Sequence, residues 1–162
     1  MKFSCTQENL SRGLNAVGHI ASKNVNLPIL HNVLIAATNE GVQLITTNLE
    51  IGIKSNVRGK VEEEGSFTVP AQVVANYVGL INAERVDVEK SKNELIIKAG
   101  NQQTKIKGEE TVDFPIIPEV ERDNNLILPI KKFKTTLSQT LVAVAHDDSR
   151  PELTGINLKV RG

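Results

Sequence analysis

The pattern that most constrains this chain recurs three times: a short alternating segment runs directly into an amphipathic one. In the first copy, residues 2–6 (K-F-S-C-T) read as a strand with Phe3 and Cys5 on one side. Residues 7–22 then read as a helix with Leu10, Leu14, Val17 and Ala21 on one stripe, and Thr6 is placed to cap it. The second copy is S-F-T-V (66–69) followed by a helix over 70–81, with Pro70 at the first turn and Val73, Val74, Tyr77, Val78 and Ile81 as the buried stripe. The third is L-I-L-P-I (126–130) followed by a helix over 131–145, with Phe133, Leu137, Leu141 and Val144 facing inward.

Three strands follow each of the first two helices, at 29–37, 42–48 and 51–59, and at 85–90, 94–99 and 103–107. Turn signals separate several of them, among them Asn39-Glu40-Gly41 and Gly100-Asn101. Each unit therefore reads β-α-β-β-β, and two units predict one α+β domain with helices on one face of antiparallel sheets. Glu62-Glu63-Glu64-Gly65 reads as a solvated acidic turn. The third unit shows one later strand, G-I-N-L-K-V (155–160), where two more are expected, which predicts a fragment cut inside a second domain. Residues 113–125 carry two prolines and many polar groups and read as a linker, giving domains at 1–121 and 122–162.

Composition narrows the function classes. Aromatics are 3% of residues, so the core is aliphatic, and there is little to stack single-stranded bases on. No apolar run is long enough for a membrane span, the N-terminus has no signal-peptide core, and the single cysteine, Cys5, cannot form an internal disulfide. These features predict a cytoplasmic protein with no membrane partner.

Net charge is zero but uneven. Residues 1–60 carry six Lys/Arg against three Asp/Glu, residues 61–121 six against twelve, and residues 122–162 seven against four. The three helices with their caps hold Arg12, Lys23, Lys131, Lys132 and Lys134 against one acid, Glu8. Acidic strands and basic or neutral helices would accept a polyanion against the helices. The plainer reading of Lys131, Lys132 and Lys134 is a solvated helix face.

Motifs for catalysis are missing. There is no phosphate-binding glycine loop, no nucleophile elbow and no zinc-protease helix, and no two of His19, His31 and His146 share metal-ligand spacing. Asp147, Asp148 and Glu152 raise the idea of a metal-dependent nuclease, but neighbouring carboxylates in extended chain point apart. No metal, cofactor or catalytic residue is expected.

Six short motifs, in order, carry a resemblance: M-K-F at the start, L-P-I-L (27–30), T-N-L-E (47–50), T-V-P-A (68–71), D-F-P (113–115) and A-H-D-D-S-R with L-T-G (145–155). On these residues the chain resembles the bacterial DNA polymerase III beta subunits, the sliding-clamp family. The resemblance implies the DNA-clamp fold. It also implies a non-catalytic processivity factor, two chains of which close head to tail around duplex DNA without reading its sequence. Helices would line the hole, and the polymerase III catalytic subunit and the clamp loader would dock through peptide motifs. The family's DNA-touching arginine falls on Asn24, with Lys23 beside it, and a polar DNA contact falls on Asp147. Arg150 and Leu153 match the first two residues of the peptide-docking pocket, and Pro151-Glu152 replaces an aromatic pair. The second helix and the edge near 101–107, including Thr104, would face the partner subunit. The alternative is an interaction module that recruits partners by strand addition at exposed sheet edges.

Overall fold

Two antiparallel sheets form because the repeats exchange their first strands. The computed structural model describes residues 1–21, 27–118, 126–145, 147 and 149–159, and its contacts divide the chain into two units, Met1–Pro118 and Glu119–Gly162. The first unit holds β1 (Lys2–Thr6), α1 (Gln7–Gly18), β2 (Asn32–Thr38), β3 (Gly41–Thr47), β4 (Gly52–Val57), β5 (Gly59–Glu63), β6 (Gly65–Pro70), α2 (Ala71–Gly79), β7 (Arg85–Ser91), β8 (Glu94–Ala99) and β9 (Gln102–Lys107). One sheet has the order β5-β1-β7-β8-β9 and the other β4-β3-β2-β6. Thus β1 of the first repeat joins the three late strands of the second, and β6 of the second joins those of the first. Neither repeat is complete without its neighbour.

The core is aliphatic, as the composition predicts. Phe3 and Cys5 of β1, Leu10, Leu14 and Val17 of α1, Val74 and Val78 of α2, and alternate residues of both sheets share one cluster. Thr6 caps α1, its side-chain oxygen accepting from the Asn9 N–H at 3.3 Å.

Several boundaries differ from the periodicity reading, each for a physical reason. The helix predicted over 7–22 ends at Gly18. Residues Pro28–His31 form a 3-10 turn before β2, since Pro28 has no N–H to give a ladder. Val73, expected in the buried stripe, is 51% exposed, because the buried positions of α2 are Ala71, Val74 and Val78.

The acidic segment is strand as far as Glu63, and Glu64 alone turns the chain from β5 into β6. Glu62 and Glu63 lie in β5, which pairs with β1 in register Lys2↔Glu63 and Phe3↔Val61. Glu62 meets Lys2 at 2.7 Å, and Glu64 accepts the Asn39 N–H at 2.6 Å. The acids are exposed, as the sequence reading expects; what it misses is that opposite charges on adjacent strands pair across the ladder.

The start of the expected linker is fastened to the domain. A strap over 108–118 leaves β9, forms the bridge Thr68↔Glu109 on the free edge of β6, and buries Phe114 against Ile29 and Leu30, with Leu34 and Ile45 packed alongside. Lys90 holds Glu110 through both carboxylate oxygens at 2.7 and 2.9 Å.

In the second unit, α3 (Ile130–Leu141) forms as predicted but stops short of residue 145. Residues 126–129 and 155–159, expected as strands, are not strands here, since a strand exists only with a ladder partner. No residue of α3 is buried.

Candidate nucleic-acid interface

The surface that could meet a polyanion is built from helices. In α1, burial of Leu10, Leu14 and Val17 leaves Arg12, Asn15, Ala16 and His19 exposed. Arg12 is not a free cation: its guanidinium donates to Glu8 Oε1 at 2.5 Å, one turn earlier. Counted in sequence among the helices' basic residues, Arg12 is half of a surface pair, and this spacing is the signal that foretells it.

The second helix carries no charged side chain and shows Gln72, Val73, Asn76 and Leu80 to solvent, Leu80 being 78% exposed. The two helices pack side by side and are tied at both ends. Gln7 donates its side-chain N–H to the Val78 carbonyl at 2.9 Å, and Gln72 donates to the Gly18 carbonyl at 3.2 Å. The Thr46 hydroxyl donates to the Val17 carbonyl at 2.7 Å. Helix C-termini leave carbonyls without internal partners, and here other elements supply the donors. Sequence reasoning passed over Gln7, Thr46 and Gln72. Only the placement of a glutamine in the first turn of both helices hints at them.

In α3, Lys131 and Lys134 share a face with Thr135, Ser138 and Val142, and Lys132 flanks it. All three lysines are exposed, and none forms an ion pair with a described residue. The hydroxyls of Thr135 and Ser138 donate to the carbonyls of Lys131 and Lys134, at 3.1 and 3.0 Å. This face thus shows the Lys131 and Lys134 ammonium groups and the Gln139 side chain to solvent, a suitable surface for phosphate without base readout. Lys23 and Asn24 lie outside the described residues, as do His146 and Asp148.

The polar loop after α3 folds back on itself. The Ala145 N–H donates to the Leu153 carbonyl and the Leu153 N–H to the Arg150 carbonyl, both at 3.0 Å. This closure brings Arg150 and Leu153 onto one turn, with Leu153 50% exposed. Asp147 accepts from both the hydroxyl and the backbone N–H of Ser149. Those bonds, the hydroxyl first, hold its carboxyl below the usual range. Asp147 is thus engaged in a local turn, and among the described residues no three His, Cys, Asp or Glu side chains converge.

Cys5 is buried in the core, and burial, with Asp87 nearby, pushes its thiol up to about 12. No helix among the described residues is long and apolar enough to cross a membrane.

Comparison with known proteins places this geometry. Residues 1–118 match the model of the DNA polymerase III beta subunit, N-terminal domain. The beta sliding clamp of Synechococcus elongatus is 30% identical over 164 residues, covering 99% of this chain and 44% of that protein. The beta sliding clamp of Bacillus subtilis is 27% identical over 169 residues, covering 99% and 45%. Among solved structures, the DNA polymerase beta subunit of Streptococcus pyogenes superposes with a TM-score of 0.86 at 25% identity, covering 96% of this chain and 43% of that one. The DNA polymerase III beta chain of Streptococcus pneumoniae gives 0.84 at 26%, covering 93% and 42%. The chain spans less than half the length of these relatives. With residues 1–118, most of the chain, matching the model of its N-terminal domain, the chain belongs to the DNA polymerase III beta subunit family.

Proposed function

We propose that this chain forms part of a sliding clamp: a non-catalytic ring that encloses duplex DNA and tethers the replicative polymerase and other clamp-binding proteins. Residues 1–121 are its N-terminal domain and residues 122–162 the start of its central domain. The observation that carries this reading is the match of residues 1–118 to the family's N-terminal domain. The physical argument agrees with it. Retention is topological, so the helices need only tolerate phosphate. An uncharged α2, a self-paired Arg12 on α1 and a lysine-bearing α3 give weak, salt-sensitive attraction that permits sliding.

Arg12, Lys23, Asn24, Lys131, Lys132 and Lys134 are the DNA-facing residues in this reading. Arg150 and Leu153 form part of the pocket that takes a partner's peptide, and their placement on one hydrogen-bonded turn supports the pairing. A head-to-tail homodimer, a cytoplasmic location and docking of the polymerase III catalytic subunit and clamp loader complete the proposal.

The test uses the protein containing this chain, loaded onto nicked circular duplex by a clamp loader and separated from free protein by gel filtration. The ring stays with circular DNA and is lost when a restriction enzyme linearises it. Equal loss from circular and linear DNA overturns the reading.

A further inference from the structure

We propose that Gln7 and Gln72 are positioning residues that set the spacing of α1 and α2 and quench the negative ends of both helices, so that the pair can lie against DNA. The functional half rests on the clamp reading; the structural half does not.

The two bonds are reciprocal. Gln7, the first residue of α1, donates to Val78 near the end of α2 at 2.9 Å. Gln72, the second residue of α2, donates to Gly18, the last residue of α1, at 3.2 Å. Each helix thus begins beside the end of the other, and each end is held by the other's first turn. The Gln7 N–H also donates to the Glu84 carbonyl at 2.8 Å, fixing α1 to the segment that leaves α2.

The last carbonyls of a helix carry about half a negative charge between them. On a surface facing phosphates, that charge is repulsive. The usual remedy, a basic residue in the last turn, is absent from both helices. Neutral donors do the work instead: Gln72 covers Gly18, the Thr46 hydroxyl covers Val17 at 2.7 Å, and Gln7 adds a second donor to Val78, which also accepts the Ile81 N–H at 3.3 Å. A glutamine offers an N–H without adding a charge that would grip one phosphate and slow sliding. Apolar packing alone leaves a helix pair free to slip along the shared groove. Two bonds at opposite ends oppose slippage in both directions.

The test compares wild type with Gln7→Met/Gln72→Met, which keeps side-chain length and removes both donors. Nitroxide labels at Asn15→Cys and Asn76→Cys, both exposed positions, report helix spacing by pulsed electron paramagnetic resonance. Buried Cys5 stays unlabelled. The double variant is expected to broaden the distance distribution and to weaken equilibrium binding to short linear duplex several-fold, more at low salt than at high. Gln72→Arg, which restores a donor at that end, is expected to narrow the distribution again. A mere loss of stability would change neither readout well below the melting temperature. If the double variant does not fold, Gln72→Met alone serves, since its side chain lies at the surface. An unchanged distribution overturns the proposal, and so does an unchanged affinity for short duplex with a broadened distribution. A wild-type ring lost equally from linear and circular DNA overturns the clamp reading and the functional half, while helix spacing still decides the structural half.

Discussion

Gly108 illustrates how a single residue can govern the joint between the two sheets. A methyl group there would press into the Thr68 carbonyl oxygen and lie 2.5 Å from the Phe67 ring. Neither can retreat, since Phe67 is fully buried and Thr68 pairs with Glu109 in both directions, at 2.9 and 3.1 Å. Gly108→Ala is expected to destabilise the domain by roughly 2–3 kcal/mol, read as a lower urea midpoint. Gly79 meets nothing within 4 Å, so Gly79→Ala is expected to be neutral or to stabilise by a few tenths of a kcal/mol. Asp147 offers a pH test at the same scale. Its folded pKa is depressed, so whatever the turn contributes is present above the unfolded carboxylate pKa and fades as pH falls through the folded value. Carbon-detected NMR titration should place the Asp147 midpoint below an ordinary aspartate, and Ser149→Ala, which removes the hydroxyl and keeps the backbone N–H, should raise it part of the way back. Such residue-scale facts were partly legible. The burial of Cys5 follows from alternation, and the Glu8–Arg12 pair from its four-residue spacing. The Gly108 contact joins residues forty positions apart, and no local pattern carries it.

At the scale of elements, the strap shows what a sequence conceals. Residues 113–125 read as linker because prolines and polar residues dominate, yet Phe114 is an anchor at 7% exposure, and Ile117 lies where any side chain on Gly52 would stand. A lone aromatic among prolines is weak evidence until the outer face of a sheet is known to need a cover. Phe114→Ala is expected to cost about 3 kcal/mol. It should also speed amide exchange at Glu109 and Thr68 more than in β8; uniform exchange would argue against a strap fastened by Phe114. The same reasoning explains β5. Its acids resembled a turn until pairing with β1 supplied Lys2 opposite them. The helices were the most legible elements, because their apolar spacing is local and strong. On α3 the lysines predict a measurable quantity. Each of Lys131→Gln, Lys132→Gln and Lys134→Gln should lower the steepness of log affinity against log salt by about 0.9, if each neutralises one phosphate in the assembled ring. Three unchanged slopes would assign these lysines to a solvated face instead.

At the scale of the whole molecule, the two units differ in what holds them. Unit 1 closes on itself: the strand exchange makes each sheet depend on both repeats, and the strap protects the edge of β6. That exchange was invisible in the repeat pattern, which specifies the order of elements but not which strand pairs with which. Among the described residues beyond 118, by contrast, none is buried, and Ile127, Ile130 and Val142 are largely exposed. Folding costs roughly 1–2 kcal/mol of backbone entropy per residue, and buried apolar surface is the main term that offsets it. A segment without buried side chains lacks that term. Expressed separately, residues 1–118 should therefore unfold in one cooperative transition by circular dichroism, while residues 119–162 should show no cooperative melt. The 162-residue chain should melt at the same midpoint as 1–118, because the described residues beyond 118 bury no side chain. A clear rise in midpoint on adding 119–162 would mean that the second unit gains its missing burial from the first. Its apolar residues would then have a partner within this chain.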